Sequence, residues 1–192
     1  MQLNPKTMSG AWDDGRTLDR HVRSSQFLGY NEYGHSQFET TRTELGELLY
    51  QLKYHKHRSA IAPIAEVACD FIRQWNPRID VIVPAPPSKV RAVQPLFQIA
   101  DELGGLLGLL VDKTIVRKTK AMPELKNVDH AQRVDLIRGA HSIAARPLRG
   151  RRVLLLDDLY QSGATLNAIA RLLKETGGAV TVFALALTRA RS

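Results

Sequence analysis

From Thr43 onward the apolar positions fall at helical spacing. Leu45, Leu48, Leu49 and Leu52 lie at i, i+3, i+4 and i+7, which predicts a helix with one buried stripe. A charged break, His55–Arg58, separates it from a second predicted helix over about 61–75. There Ile64, Val67, Ala68, Phe71, Ile72 and Trp75 face inward, and Asn76-Pro77 ends the element. Asp80–Pro84 reads as a short strand whose continuous apolar run requires cover on both faces, as in a parallel sheet. Leu96, Ile99, Ala100 and Leu103 mark a third helix, expected to close at Gly104-Gly105. Leu109–Val116 is expected to be extended, and residues 117–135, polar and without periodicity, to form a long loop. Val153–Leu156 reads as a strand, Leu166–Thr176 as a helix stopped by Gly177-Gly178, and Val180–Leu187 as a last strand. Strand and helix alternate through residues 80–187, which predicts an α/β fold with a mostly parallel sheet and flanking helices.

Residues 1–42 lack that rhythm. They are polar and punctuated by glycine, yet carry Trp12, Phe27, Tyr30, Tyr33 and Phe38. The expectation is a small irregular arm, or a subdomain containing a hairpin, that packs against the rest. The chain of 192 residues is long enough to bury a core without staples. Its single cysteine, Cys69, excludes an internal disulfide and a cysteine-based zinc site; its place in the apolar helical pattern predicts a buried structural thiol. No stretch reads as a signal peptide or a membrane span, so a cytoplasmic location and no membrane partner are expected. The scattered histidines offer no metal-ligand spacing.

The formal net charge of +8 suits phosphorylated small molecules or nucleic acid. One basic cluster spans Arg138–Arg152, with Arg146, Arg149 and Arg151, and another is Arg117-Lys118-Thr119-Lys120. Neither is interleaved with aromatics, which disfavours a stacking platform for single strands. A solvated basic surface accounts for the first cluster equally well.

The chemistry concentrates in Val153–Leu166, VLLLDDLYQSGATL. In open parallel sheets, ligands bind beyond the carboxyl ends of the strands. Asp157 and Asp158 are expected at such an end, where their repulsion needs a hydrogen-bond donor or a cation nearby. Gln161, Ser162, Gly163, Ala164 and Thr165 then open a helix. Its first N–H groups and its dipole favour an anion, and Gly163 allows close backbone approach. Acceptors for sugar hydroxyls thus sit beside donors for a phosphate. The plainer alternative is a helix N-capped by Ser162 with two solvated aspartates.

This run resembles the 5-phosphoribosyl-1-pyrophosphate (PRPP) motif of type I phosphoribosyltransferases. Leu52-Lys53-Tyr54, Val83-Pro84-Ala85-Pro86, Arg133 and the DDLYQSGAT run make the chain similar to the ComF-like, amidophosphoribosyltransferase-related branch. The resemblance covers roughly residues 43–190 and implies a Rossmann-like phosphoribosyltransferase domain over 43–192, with 1–42 as an arm or hood. It implies that Asp157 and Asp158 are the catalytic pair holding the ribose, and that Gln161–Thr165 bind the 5-phosphate. A pyrophosphate loop falls on Ser88, Lys89 and Arg91, and a flexible closing loop on 117–133 with Lys118, Lys120, Lys126 and Arg133. Mg²⁺ would enter with PRPP, near the two aspartates. The activity implied is Mg-dependent transfer of a 5-phosphoribosyl group with release of pyrophosphate, to a nucleophile the residues do not identify. The alternative is a non-catalytic PRPP-sensing or DNA-associated, competence-type protein on the same fold, meeting nucleic acid through its basic surface. Oligomeric state is not legible, although a homodimer is common in such families. Members of this branch often begin with a four-cysteine zinc ribbon, which this chain cannot form, and it lacks the amino-terminal cysteine of a glutaminase half. A phosphoacceptor domain is a further rival, but it needs another acidic strand end, and the strand at 80–84 ends in Pro-Ala-Pro.

Overall fold

The apolar run Val153–Leu156 lies at the centre of a six-stranded sheet in the computed structural model, which describes residues 1–87, 93–119, 141–143 and 148–190. The first half of the chain contains β1 (Lys6–Thr7), β2 (Asp14–Arg20), β3 (Val22–Tyr30), β4 (Ser36–Arg42), α1 (Glu44–Tyr54) and α2 (Ile61–Trp75). The second half contains β5 (Val81–Pro84), α3 (Pro95–Leu107), β6 (Leu110–Val111), β7 (Val116–Lys118), β8 (His141–Ile143), β9 (Arg152–Tyr160), α4 (Ala164–Glu175) and β10 (Thr181–Arg189). The sheet order is β1-β2-β10-β9-β5-β6, and every pairing is parallel except β1 with β2. β3–β4 and β7–β8 are separate antiparallel ribbons. The expected α/β architecture with a mostly parallel sheet is what the chain forms.

The connections explain the layers. α3 links β5 outward to β6, and α4 links β9 in the opposite direction to β10. Right-handed crossovers running in opposite directions place their helices on opposite faces. α2 packs on α3, and α1 on α2, so these three cover one face and α4 the other. Covered on both sides, Ile82, Val83 and Val153–Leu156 are fully buried, which is why they read as unbroken apolar runs. Cys69 lies buried in α2.

Several boundaries differ from the expectations. α3 continues through Gly104-Gly105 to a left-handed cap at Gly108 (φ 66°). Gly104 answers a packing need instead: a Cβ there would lie 2.5 Å from Val111 Cγ2. The stretch 109–116 is extended only at Leu110–Val111 and at Val116, where β7 begins. β9 does not stop at Leu156 but runs on through both aspartates to Tyr160, because β10 hydrogen-bonds alongside it as far as Arg189. Residues 1–42 divide into two parts. The expected hairpin is β3–β4, whereas β2 is an integral strand of the main sheet beside β10. Arg117 and Lys118, assigned to the closing loop, lie in β7, with Lys118 opposite His141.

Candidate functional site

The carboxyl ends of the parallel strands converge on β9, the turn Gln161–Gly163 and the start of α4. Successive strand residues face opposite sides of a sheet. Asp158 accordingly reaches the α1 side, where its Oδ2 meets Lys53 Nζ at 2.7 Å. Asp157 lies on the side of the turn, and its Oδ1 accepts the Asp158 backbone N–H at 2.8 Å. Continuing the strand through this pair separates two like charges that adjacency in sequence places together. The two are electrostatically unlike. Burial first, and the Asp158 charge second, push the Asp157 carboxyl up to about 7, against the opposing pull of the Asp158 N–H and Lys53.

Neighbouring strands fix this geometry. The Thr188 hydroxyl donates to the Asp158 carbonyl at 2.9 Å. That hydroxyl's proton being committed, His21 Nδ1–H donates to Thr188 Oγ1 at 3.1 Å. Burial, together with the positive charges of Lys53 and Arg42, holds the His21 pKa below its usual value, keeping the ring neutral. The ends of β2, β10 and β9 are thereby tied to one another at the acidic pair.

The turn keeps its donors available. Gly163 adopts φ 73°, a left-handed conformation that favours glycine, and a Cβ on it would lie 2.9 Å from Tyr160 Cε2. The Gly163 carbonyl is held by Asn167, through its backbone N–H at 2.8 Å and its side-chain Nδ2 at 2.9 Å. Asn167 in turn accepts the Ala11 N–H at 2.7 Å, so the amino-terminal segment braces the turn. Among the described residues, the backbone N–H groups of Ser162, Gly163 and Thr165 have no protein acceptor, and Ala164 N–H has only a long contact of 3.5 Å to Ser162 Oγ. Such an array at a helix N-terminus suits an oxyanion. It lines a cavity of about 140 Å³ with Asp157 at its wall. A larger cleft of about 450 Å³ adjoins it, lined by Lys53, Tyr54, Pro86, Pro87, Phe97, both aspartates, Gln161 and Thr165.

Asp157, Asp158 and Gln161–Thr165 are thus brought together. Ser88, Lys89, Arg91, Lys120, Lys126 and Arg133 lie outside the described residues. Lys53 enters as a site residue, although the sequence reading used it only as a mark of resemblance. It is the basic residue in the last turn of α1, and nothing local ties it to an acid 105 positions later. Phe97 and Tyr54 likewise carry no local signal of a shared cleft. No group of three or more His, Cys, Asp or Glu side chains among the described residues could cage a metal ion. The aspartate pair, with Asp158 already ion-paired, suits a cation that keeps oxygen ligands from its substrate. No described helix is long and apolar enough to cross a membrane. Of the Arg138–Arg152 cluster, Arg149, Arg151 and Arg152 are described. They lie by the first residue of β9, roughly 25 Å along the strand from the turn. Arg152 is committed to Asp80 through contacts of 3.0 and 2.6 Å.

A family model for the phosphoribosyl transferase domain matches residues 51–192. Competence protein ComFC of Bacillus subtilis (strain 168) is 25% identical over 186 residues, covering 96% of this chain and 75% of that protein. Adenine phosphoribosyltransferase of Mycobacterium avium (strain 104) is 43% identical over 60 residues, which are 29% of this chain and only 33% of that relative's length. Among solved structures, glutamine PRPP amidotransferase from B. subtilis, complexed with ADP and GMP, superposes with a TM-score of 0.51 at 16% identity, over 84% of this chain and 35% of that one. At that identity the likeness concerns the fold.

Proposed function

We propose, for a chain that belongs to the phosphoribosyl transferase domain family and is related to ComFC, that the site binds PRPP and transfers its 5-phosphoribosyl group with release of pyrophosphate. The observation that carries this reading is the turn whose amides lack protein acceptors, set beside two inequivalent carboxylates. The 5-phosphate would take the donors of Ser162, Gly163, Ala164 and Thr165. The ribose hydroxyls would donate to Asp157 and Asp158, with Lys53 holding Asp158 in place. Two acidic groups under the ribose favour the positive charge that develops on the ring as the leaving group departs. A hydroxyl-bearing ligand also offers the ionised form of Asp157 a further donor beside the Asp158 N–H. Mg²⁺ bound with the diphosphate would supply charge neutralisation for the leaving group. Ser88, Lys89 and Arg91 are proposed for that end of the substrate, Lys120, Lys126 and Arg133 for a closing segment, and the β3–β4 ribbon for a hood.

The test is titration calorimetry with PRPP and Mg²⁺. Asp157→Asn/Asp158→Asn should weaken binding at least about tenfold, the loss of two hydrogen bonds to charged acceptors. Equal affinity in both proteins would sink the assignment. Pyrophosphate release on addition of a base, ammonia or glutamine would identify the nucleophile.

The similarity to ComFC over 96% of the chain favours a second reading, a DNA-associated protein that senses PRPP without turning it over. A salt-dependent mobility shift with DNA, and no pyrophosphate release with any nucleophile, would favour it.

A further inference from the structure

A third cavity, of about 230 Å³, adjoins the turn through Tyr160 and Gln161 and is otherwise lined by Lys6, Thr7, Met8, Thr17 and Arg189. Its charges are two cations with no acid in the lining. Arg189 is almost inaccessible at 4% exposure. Its guanidinium donates to Asn4 O at 2.6 Å, Thr17 Oγ1 at 3.1 Å and Asn4 Oδ1 at 2.8 Å, all neutral acceptors. Its Nε is buried with no hydrogen-bond partner. A guanidinium is never relieved by losing its proton in water, so burial without a bonded anion is costly. Burial, followed by the neighbouring charge of Arg20, lowers the Arg189 pKa, and the nearby charge of Asp19 only partly offsets this. Asp19 bonds the Arg20 N–H and not Arg189. Lys6, on the exposed strand β1, has no ion-pair partner among the described residues.

We propose that this cavity is a second oxyanion site, for a phosphate or phosphate monoester held between Arg189 and Lys6. The hydroxyl of Thr7 and the amide of Gln161 line the same space and can donate to its oxygens. Phosphate is the class that fits best, because two cations match its double charge and the neutral donors its several oxygens. The site does not rest on the PRPP reading, but it adjoins that turn. Tyr160 and Gln161 line both cavities, and the Tyr160 ring walls Gly163. An anion bound by Arg189 therefore lies against residues that also shape the turn.

The test is titration of the ¹⁵N-labelled full chain with inorganic phosphate, followed by NMR. Two saturation curves are expected. One is reported by the Thr7 and Met8 amides and by the Arg189 Nε–H, the other by the Gly163 and Thr165 amides. Lys6→Glu, a substitution on an exposed strand, should weaken the first about tenfold and leave the second within about twofold. Ser162→Glu, which sets a carboxylate in the turn, should abolish the second and leave the first. The proposal is overturned if Thr7, Met8 and Arg189 do not move. It is equally overturned if they follow the turn's curve and vanish in Ser162→Glu, or if Lys6→Glu leaves their curve unchanged.

Discussion

β9 and β3 are both nine-residue strands, and the molecule treats them in opposite ways. β9 has hydrogen-bonded neighbours on both edges and helices over both faces, and Val153–Leu156 are fully buried. β3 pairs with β4 alone among the described residues, and Phe27, Leu28, Tyr30 and Phe38 of this ribbon remain about half exposed or more. Phe27 still packs on Phe38 and Tyr30, with ring centroids 5.5 and 5.3 Å away. Those contacts give the ribbon local order but bury little. The difference teaches that strand length and β-propensity do not decide what a strand can carry. A strand clamped on four sides can hold two carboxylates in distinct environments at its end. A ribbon with open faces can present side chains but cannot perturb them.

The comparison can be broken most directly at its apolar centre. Leu155→Ala should cost about 2–5 kcal/mol of stability in urea denaturation, because a fully buried leucine leaves a cavity. Phe38→Ala in the ribbon should cost less than about 1 kcal/mol. Comparable losses would mean that the ribbon carries hidden burial. The next effect concerns charge. Asp157 has a carboxyl raised to about 7, so its ionisation opposes folding. That cost is absent below the unfolded carboxylate range near pH 4, grows as pH rises toward 7, and is complete above it. Asp157→Asn should therefore be more stable than the parent by roughly 1–3 kcal/mol at pH 8 and nearly equal to it at pH 4. Thermal melts across that window would expose the opposite slope. Smaller again, Lys53→Met should lose about 1 kcal/mol, the worth of a partly exposed ion pair. It should also move the Asp157 midpoint further up, which carboxyl NMR reads directly. The smallest effect lies at the far end of β9. Arg152 holds the Asp80 carboxyl down to about 2, so this pair stabilises the fold above pH 4 and loses that contribution as pH falls toward 2. Asp80→Asn should lower stability slightly at neutral pH, where the pair contributes, and converge with the parent near pH 2, which flattens the acid limb of the stability profile.

Legibility followed the range of the interactions. Helices α1 and α2 could be read because their stripes are local, and Thr43 caps α1 through a bond three residues away, Gly46 N–H to Thr43 Oγ1 at 3.0 Å. The turn at Gly163 was legible for the same reason. β2 was not, since Asp-Gly-Arg-Thr-Leu-Asp-Arg alternates poorly and becomes a strand only because β10 offers it an edge. The end of β9 was not legible either, since two aspartates normally break a strand and here pairing with β10 overrides them.

The order of residues alone determined which segments must be covered on both faces, and it placed two acids and a donor-rich bend within nine positions of each other. Hydrophobic periodicity and local hydrogen bonding act over a few residues, so they are written in the chain. Only the tertiary structure decided that Lys53 takes Asp158 and that burial raises the Asp157 carboxyl. It alone also set Arg189 and Lys6 around one cavity adjoining the turn. Both outcomes depend on desolvation and on charges more than 100 positions apart, and those exist only once the sheet has closed around them.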